Sequence, residues 1–297
     1  QRVLDPFCGT GTTVVECKKL GIKSRGVEAH PMSQFAGSVK VNWSADPDYL
    51  VEHSTMLAEK AMKLLARDSV PDLPPGLFSA NDVSENDDGA SLRALPEDRA
   101  KLLLKNSISP KPLHKALVLL DLIREHHDHQ LQGYELLALA RTLVNDSSNL
   151  HFGPEVGVGK QKIDAPVVVP WMETVRRMAD DVRLLACNQN VEAVVHHADS
   201  RQLTEVIDRK SINAVITSPP YPNEKDYTRT TRLESVILGL ISTKEELRGY
   251  KKGLIRSNTR GVYKDDEDDQ WIADHPEIHR ISDEIEARRI ELGKTSG

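Results

Sequence analysis

A glycine-rich turn set between two short apolar strands constrains this chain more than any other feature. Residues 2–7, Arg-Val-Leu-Asp-Pro-Phe, read as a buried strand running into Cys8-Gly9-Thr10-Gly11. Thr12 to Leu20 then has helical composition, with Gly21 as its stop signal. Residues 22–28, Ile-Lys-Ser-Arg-Gly-Val-Glu, return as a second strand. A strand, a helix and a strand within 28 residues require parallel pairing and a right-handed crossover, so the expected fold class is α/β.

Three local patterns carry candidate chemistry. Glycine at 9 and 11 lets the backbone turn tightly and come close to a ligand, and the helix that follows presents free N–H groups to a polar or anionic group. By itself that spacing fits a plain turn as well as a binding loop; Asp5, Pro6 and Phe7 before it and Thr12 and Thr13 after it narrow the choice. Glu28 closes the second strand, 17 residues beyond Gly11, where a carboxylate can accept from both ribose hydroxyls or simply face solvent. Ser218-Pro219-Pro220-Tyr221 follows the apolar run 212–217. Two prolines cannot continue a central strand, because neither has an N–H to donate. They leave carbonyls in fixed directions beside an aromatic ring, which suits a planar base bearing an amino group. A proline-rich ligand for another domain is the rival reading, and the preceding strand argues against it.

The rest of the chain divides by texture. Residues 1–45 form the first part of the core. Residues 46–165 read as a largely helical insertion, with apolar residues at helical spacing over Met56–Leu65, Leu113–Leu120 and Leu136–Val144. The turn-forming, acidic stretch 70–91 reads as an exposed or disordered loop. The α/β pattern resumes over 166–241: an amphipathic helix through Trp171, Val175, Met178, Val182 and Leu185, strands at 191–198 and 212–217, and a helix at 231–241. Residues 242–297 read as a charged, mostly helical extension.

Composition excludes several classes. No apolar run approaches the roughly 20 residues needed to span a bilayer. Three separated cysteines, Cys8, Cys17 and Cys187, give neither a disulfide framework nor a zinc pattern, so a cytoplasmic protein without a metal site is expected. Net charge is −6, yet residues 222–264 hold ten Lys or Arg against five Asp or Glu. That strip, with Arg229 and Arg232, is either a phosphate-contacting surface or a solvated helix face. His126, His127 and His129 read as a solvated helix end, and the adjacent His196 and His197 face opposite sides of a strand.

Together these patterns resemble a known family. Asp5–Thr13 is similar to motif I of the amino-methyltransferases of restriction–modification systems, and Thr217–Tyr221 to their motif IV. Glu28 matches the acidic residue of motif II, and Asp199 the position that meets the cofactor's adenine. The resemblance spans about residues 1–45 and 191–240. It implies a Rossmann-like sheet that binds S-adenosyl-L-methionine: Gly9 and Gly11 around its methionine part, Asp5 and Phe7 shaping that pocket, Glu28 on the ribose, Asp199 on the adenine. It also implies double-stranded DNA as partner, with a base flipped from the duplex. The base's amino group would donate to Ser218 and the Pro219 carbonyl while Tyr221 stacks on the ring. Serine ahead of the two prolines leans toward cytosine N4 over adenine N6, and no Pro-Cys pair exists for cytosine C5 chemistry. Related motifs serve RNA and protein-glutamine methyltransferases, and a non-catalytic cofactor- or DNA-binding module is a third reading. A cognate restriction endonuclease is a further expected partner.

Two departures shape the expectations. The chain starts at Gln1 inside a strand, and no convincing strand follows residue 241. The expectation is therefore part of a longer protein with an incomplete sheet, weakly active unless another chain completes it.

Overall fold

The computed structural model describes residues 1–72, 91–153, 155–220, 226–255 and 268–294. The chain divides into two compact units, 1–258 and 259–297.

In the first unit, β1 (Arg2–Asp5), α1 (Thr12–Lys19) and β2 (Lys23–Glu28) form the expected parallel strand–helix–strand. Helices α2 (Pro31–Val41), α3 (Pro47–Arg67), α4 (Glu97–Ala100), α5 (Pro110–Glu125) and α6 (Gln132–Thr142) follow. Next come β3 (Leu150–Phe152), β4 (Val156–Val158), α7 (Val168–Leu185), β5 (Ala193–His197) and β6 (Ala214–Val215). Last in this unit are α8 (Tyr227–Thr230), α9 (Arg232–Ile237) and α10 (Lys244–Gly253). The second unit holds α11 (Pro276–Glu291), whose Arg280, Arg288 and Arg289 pair with glutamates one turn away.

The main sheet has the order β5-β2-β1-β6, every pairing parallel. Chain order therefore runs outward from β1 to β2 and β5 on one side, and only then to β6 on the other. In parallel α/β sheets, that reversal next to β1 is where a crevice opens at the carboxyl ends of the strands. Close packing under the first turn depends on Gly26, because a Cβ there would lie 2.7 Å from Cys8 Sγ. Burial pushes the Cys8 thiol up to about 12.

The helices at 46–165 share one apolar core with the later helices. Leu57, Leu119, Leu139, Trp171 and Val236 all lie in it, at 0% exposure. Buried Asp72 fixes this packing from a distance, accepting from the N–H groups of Val167, Val168 and Val169 at 2.8, 2.8 and 3.1 Å. It thereby caps the start of α7, a terminus whose amides have no partner within the helix. Lys115, also buried, pairs with Asp72 and Asp164 at 3.4 and 2.6 Å.

Several elements differ from the sequence reading. The strand expected at 212–217 shrinks to Ala214–Val215, because it borders the sheet and pairs only with β1. Val215 and Ile216 are 58% and 55% exposed. The helix expected at 231–241 is shorter, Arg232–Ile237 followed by Gly239 at φ +76°, and a separate helix over Tyr227–Thr230 precedes it. An antiparallel pair, β3 and β4, stands where no strands were expected. Residues 73–90, most of the acidic loop, lie outside the described residues.

Candidate functional site

Two loops emerge side by side at the carboxyl edge of the sheet. The ladder sets Val3 opposite Ala214 and Leu4 opposite Val215, and Ile216 N–H donates to Leu4 O at 3.0 Å. Beyond it, Asp5 and Thr217 meet: Thr217 Oγ1 donates to Asp5 Oδ1 at 2.8 Å. The same carboxylate oxygen accepts from Phe7 N–H at 3.1 Å. Asp5, only 4% exposed, thus ties the root of Ser218-Pro219-Pro220 to the root of the glycine turn. Two segments more than two hundred residues apart in the chain meet at one crevice.

The glycine turn is closed on itself. Gly11 N–H donates to Cys8 O at 2.8 Å, and Cys8 N–H to Val27 O at 3.1 Å. Gly9 has φ +53° and Gly11 φ +87°, backbone that a residue with a Cβ adopts only under strain. A Cβ on Gly11 would stand 3.1 Å from Gly37 Cα in α2, whereas one on Gly9 would meet nothing within 4 Å. The turn is therefore packed on one side and open on the other, next to the start of α1. Lys40 reaches back from α2 to Thr10 Oγ1 at 2.9 Å, with its ammonium pKa lowered by burial.

Glu28 stands at the end of β2, half-buried, where it accepts from His30 N–H at 2.7 Å. Burial raises its carboxyl above the usual range, and hydrogen bonds from the backbone N–H groups of His30, Gly9 and Ala29 work against that rise. The residue thus holds the start of the β2–α2 turn. Asp199 follows β5 and is held by Arg201, whose Nε lies 2.9 and 3.0 Å from its two oxygens and whose Nη2 lies 2.5 Å from Oδ2. A further donor reaching Asp199 must use the carboxylate's remaining lone pairs. His197 Nε2 lies 3.1 Å from Ala29 O, so the turns after β2 and β5 also touch.

On the other side of the crevice Ser218 and Pro219 are exposed and Pro220 is half-buried. Tyr221 lies outside the described residues. The chain resumes at Asp226, which caps α8: its Oδ1 accepts from Thr228 Oγ1 at 2.6 Å and Arg229 N–H at 3.3 Å, and its Oδ2 from Lys251 Nζ at 2.8 Å. Burial favours the neutral acid here, but the bonds from Lys251 and Thr228 and the nearby cations hold its pKa below the usual range.

Arg232 has three of its five N–H donors engaged within the fold, donating to Thr228 O at 2.9 Å, Thr228 Oγ1 at 3.1 Å and Leu102 O at 3.3 Å. Arg229, by contrast, has a buried Nε with no hydrogen-bond partner. Among the described residues no group of three or more His, Cys, Asp or Glu is arranged to hold a metal ion, and no helix is long and apolar enough to cross a membrane. His126 bonds Lys60 Nζ at 2.8 Å, and the His127 and His129 rings meet edge to face.

Sequence reasoning placed Thr217 in motif IV without giving it a role, and it missed His30, Arg201 and Asp226. His30 carried a visible signal, directly before Pro31 at a helix start. The partners of Arg201 and Asp226 had none.

A parallel sheet with a glycine turn and a second loop at neighbouring strand ends is an arrangement that nucleotide-binding α/β folds also use. Residues 1–34 match the model of the DNA methylase family that joins N6 and N4 amino-methyltransferases. The chain is similar to the type II methyltransferase M.BsoBI of Geobacillus stearothermophilus, 28% identical over 265 residues. That alignment covers 83% of this chain and 49% of the relative, so the chain spans about half the length of the curated protein it matches. No solved structure matches. Both matches support a likeness to the amino-methyltransferases of restriction–modification systems.

Proposed function

We propose that this protein transfers a methyl group from S-adenosyl-L-methionine to an exocyclic amino group in double-stranded DNA, cytosine N4 ahead of adenine N6. It would work in the cytoplasm beside a cognate restriction endonuclease. The observation that carries the reading is the Asp5–Thr217 bond, which joins the glycine turn to the Ser-Pro-Pro loop at one crevice. A Rossmann-like arrangement is supported by the order β5-β2-β1-β6, with the reversal beside β1.

The residues present fit the methyl donor. Open space on one side of Gly9 and the free amides at the start of α1 suit its amino-acid part. Glu28 and Asp199 are carboxylates that offer acceptors, as the ribose hydroxyls and the adenine amino group would require. When bound, the cofactor supplies an electrophilic sulfonium methyl. The chain's own work is to orient the acceptor. Ser218 Oγ and the Pro219 carbonyl would accept the two amino hydrogens, turning the nitrogen lone pair toward the donor side, with Tyr221 stacked on the flipped ring. Such a reaction needs no covalent bond between enzyme and base, and fixed acceptors lower the barrier by holding the reacting geometry.

Mass spectrometry of nucleosides from host DNA, with and without the gene, tests this. N4-methylcytosine is expected; N6-methyladenine would reverse the preference, and neither would remove the reading. Labelled methyl transfer to duplex DNA, RNA and protein separates the DNA reading from an RNA or glutamine methyltransferase.

A further inference from the structure

We infer that His30 is a positioning residue that couples the donor side of the crevice to the helices behind the target loop. The inference rests on the donor-site reading above. His30 follows Glu28 by two residues, and its own N–H donates to the Glu28 carboxylate at 2.7 Å. Its ring, at a residue only 2% exposed, crosses to the other side, with Nε2 3.0 Å from Thr231 Oγ1. Thr231 joins α8 to α9, the pair that follows the Ser-Pro-Pro loop, and its hydroxyl lies 3.0 Å from Tyr227 O.

The proton positions follow from the partners. Ser33 N–H can only donate, and it points at His30 Nδ1 at 3.4 Å, so the ring proton sits on Nε2. Nε2–H then donates to Thr231 Oγ1, and Thr231 O–H donates to Tyr227 O. Burial lowers the His30 pKa to about 4, which keeps the ring neutral and this tautomer fixed. Both ends are anchored. Glu28 closes β2 within the parallel sheet, while α9 is buried in the main core through Leu233, Val236 and Ile237. The polar chain from Glu28 through His30 and Thr231 to Tyr227 is therefore continuous. A ligand that fixes Glu28 also fixes the start of the helices carrying the far end of the target loop, and by linkage the effect is reciprocal.

The test uses S-adenosylhomocysteine as probe and hydrogen–deuterium exchange as readout. In the wild type, saturating probe is expected to slow exchange of the amides over 226–237 by about three- to tenfold, the worth of one ordered hydrogen bond. Thr231→Val, which keeps the shape and removes the hydroxyl, is expected to lose that protection while still binding the probe. Thr231→Ser is expected to restore it, which a merely space-filling role would not do. Probe binding with no protection at 226–237, or with equal protection in Thr231→Val, overturns the coupling and leaves the donor site standing. Absence of probe binding to the wild type overturns both.

Discussion

The loops after β1 and β6 leave adjacent strands, yet the first is packed against α2 on one side while the residues that open the second are exposed. Gly11 is buried against Gly37, and Cys8 fills the space above Gly26. Ser218 and Pro219 are exposed, and they follow a strand of two residues whose Val215 is exposed as well. The glycine turn takes its shape from packing. Residues 217–220 are tied at their root, Thr217 to Asp5. A packed loop turns any change of volume into strain, whereas an open loop does not. On the proposed function, substitutions in the glycine turn should therefore disturb folding and binding together, and those at Ser218 and Pro219 should change chemistry with stability intact.

The sharpest contrast comes from Gly11→Val against Ser218→Ala. Gly11→Val adds a branched side chain at φ +87°, beside Gly37 Cα, and is expected to cost about 3 kcal/mol and to abolish S-adenosylhomocysteine binding. Ser218→Ala is expected to stay within about 0.5 kcal/mol of wild type in thermal unfolding while methyl transfer falls at least about tenfold. Equal stability of the two variants would break the comparison.

Asp5→Ala comes next, at about 2 kcal/mol, because it removes the acceptor for both Thr217 and Phe7 N–H from a buried position. Thr217→Val should cost about half as much, and a double-mutant cycle on the pair should be strongly non-additive. Additive effects would mean that the two loops are not joined at their roots.

Glu234, in α9, asks whether the scaffold behind the target loop is as dry as the donor side. Burial raises its pKa to about 7, and its Oε2 has no hydrogen-bond partner. The folded state thus holds a proton that the unfolded chain releases near its ordinary value of 4.5. Stability from this group is fully present below pH 4.5 and is lost as pH rises through 7. Glu234→Gln should raise stability by about 1–2 kcal/mol at pH 8 and change it little at pH 5, as read by denaturant titration. His30, whose folded pKa is depressed, acts in the opposite sense: its contribution is lost as pH falls from 6.5 toward 4.

The smallest effect separates two neighbouring arginines. Arg229→Ala should lower the slope of log affinity for duplex DNA against log salt by about one. Arg232→Ala should leave that slope unchanged and lower the melting temperature, since its donors serve Thr228 and Leu102. The same slope change in both would return Arg232 to the DNA surface.

The first strand–helix–strand was legible because everything that defines it lies within 28 residues and its glycines stand where the backbone must turn. The helix from Trp171 onward was legible for a similar reason, as five apolar residues at helical spacing leave no second interpretation. What could not be read depends on neighbours. Nothing in the run 212–217 says that it will border the sheet, so its shortening to two residues was invisible. Three-residue strands such as β3 and β4 are too short to show an alternation. Asp72 caps a helix that begins 96 residues later, and no local pattern marks such a pairing. At the site, the glycine turn, Glu28 and the Ser-Pro-Pro run stood out by spacing, while the polar link through His30 and Thr231 required the two turns to be brought together.

The most direct measurement is a crystal structure of the protein with S-adenosylhomocysteine bound. The account requires the amino-acid part to lie over Gly9 and Gly11, the ribose on Glu28, and the sulfur to face the Pro219 carbonyl across the crevice. A ligand seated elsewhere, or a sulfur turned away from residues 218–220, would contradict it.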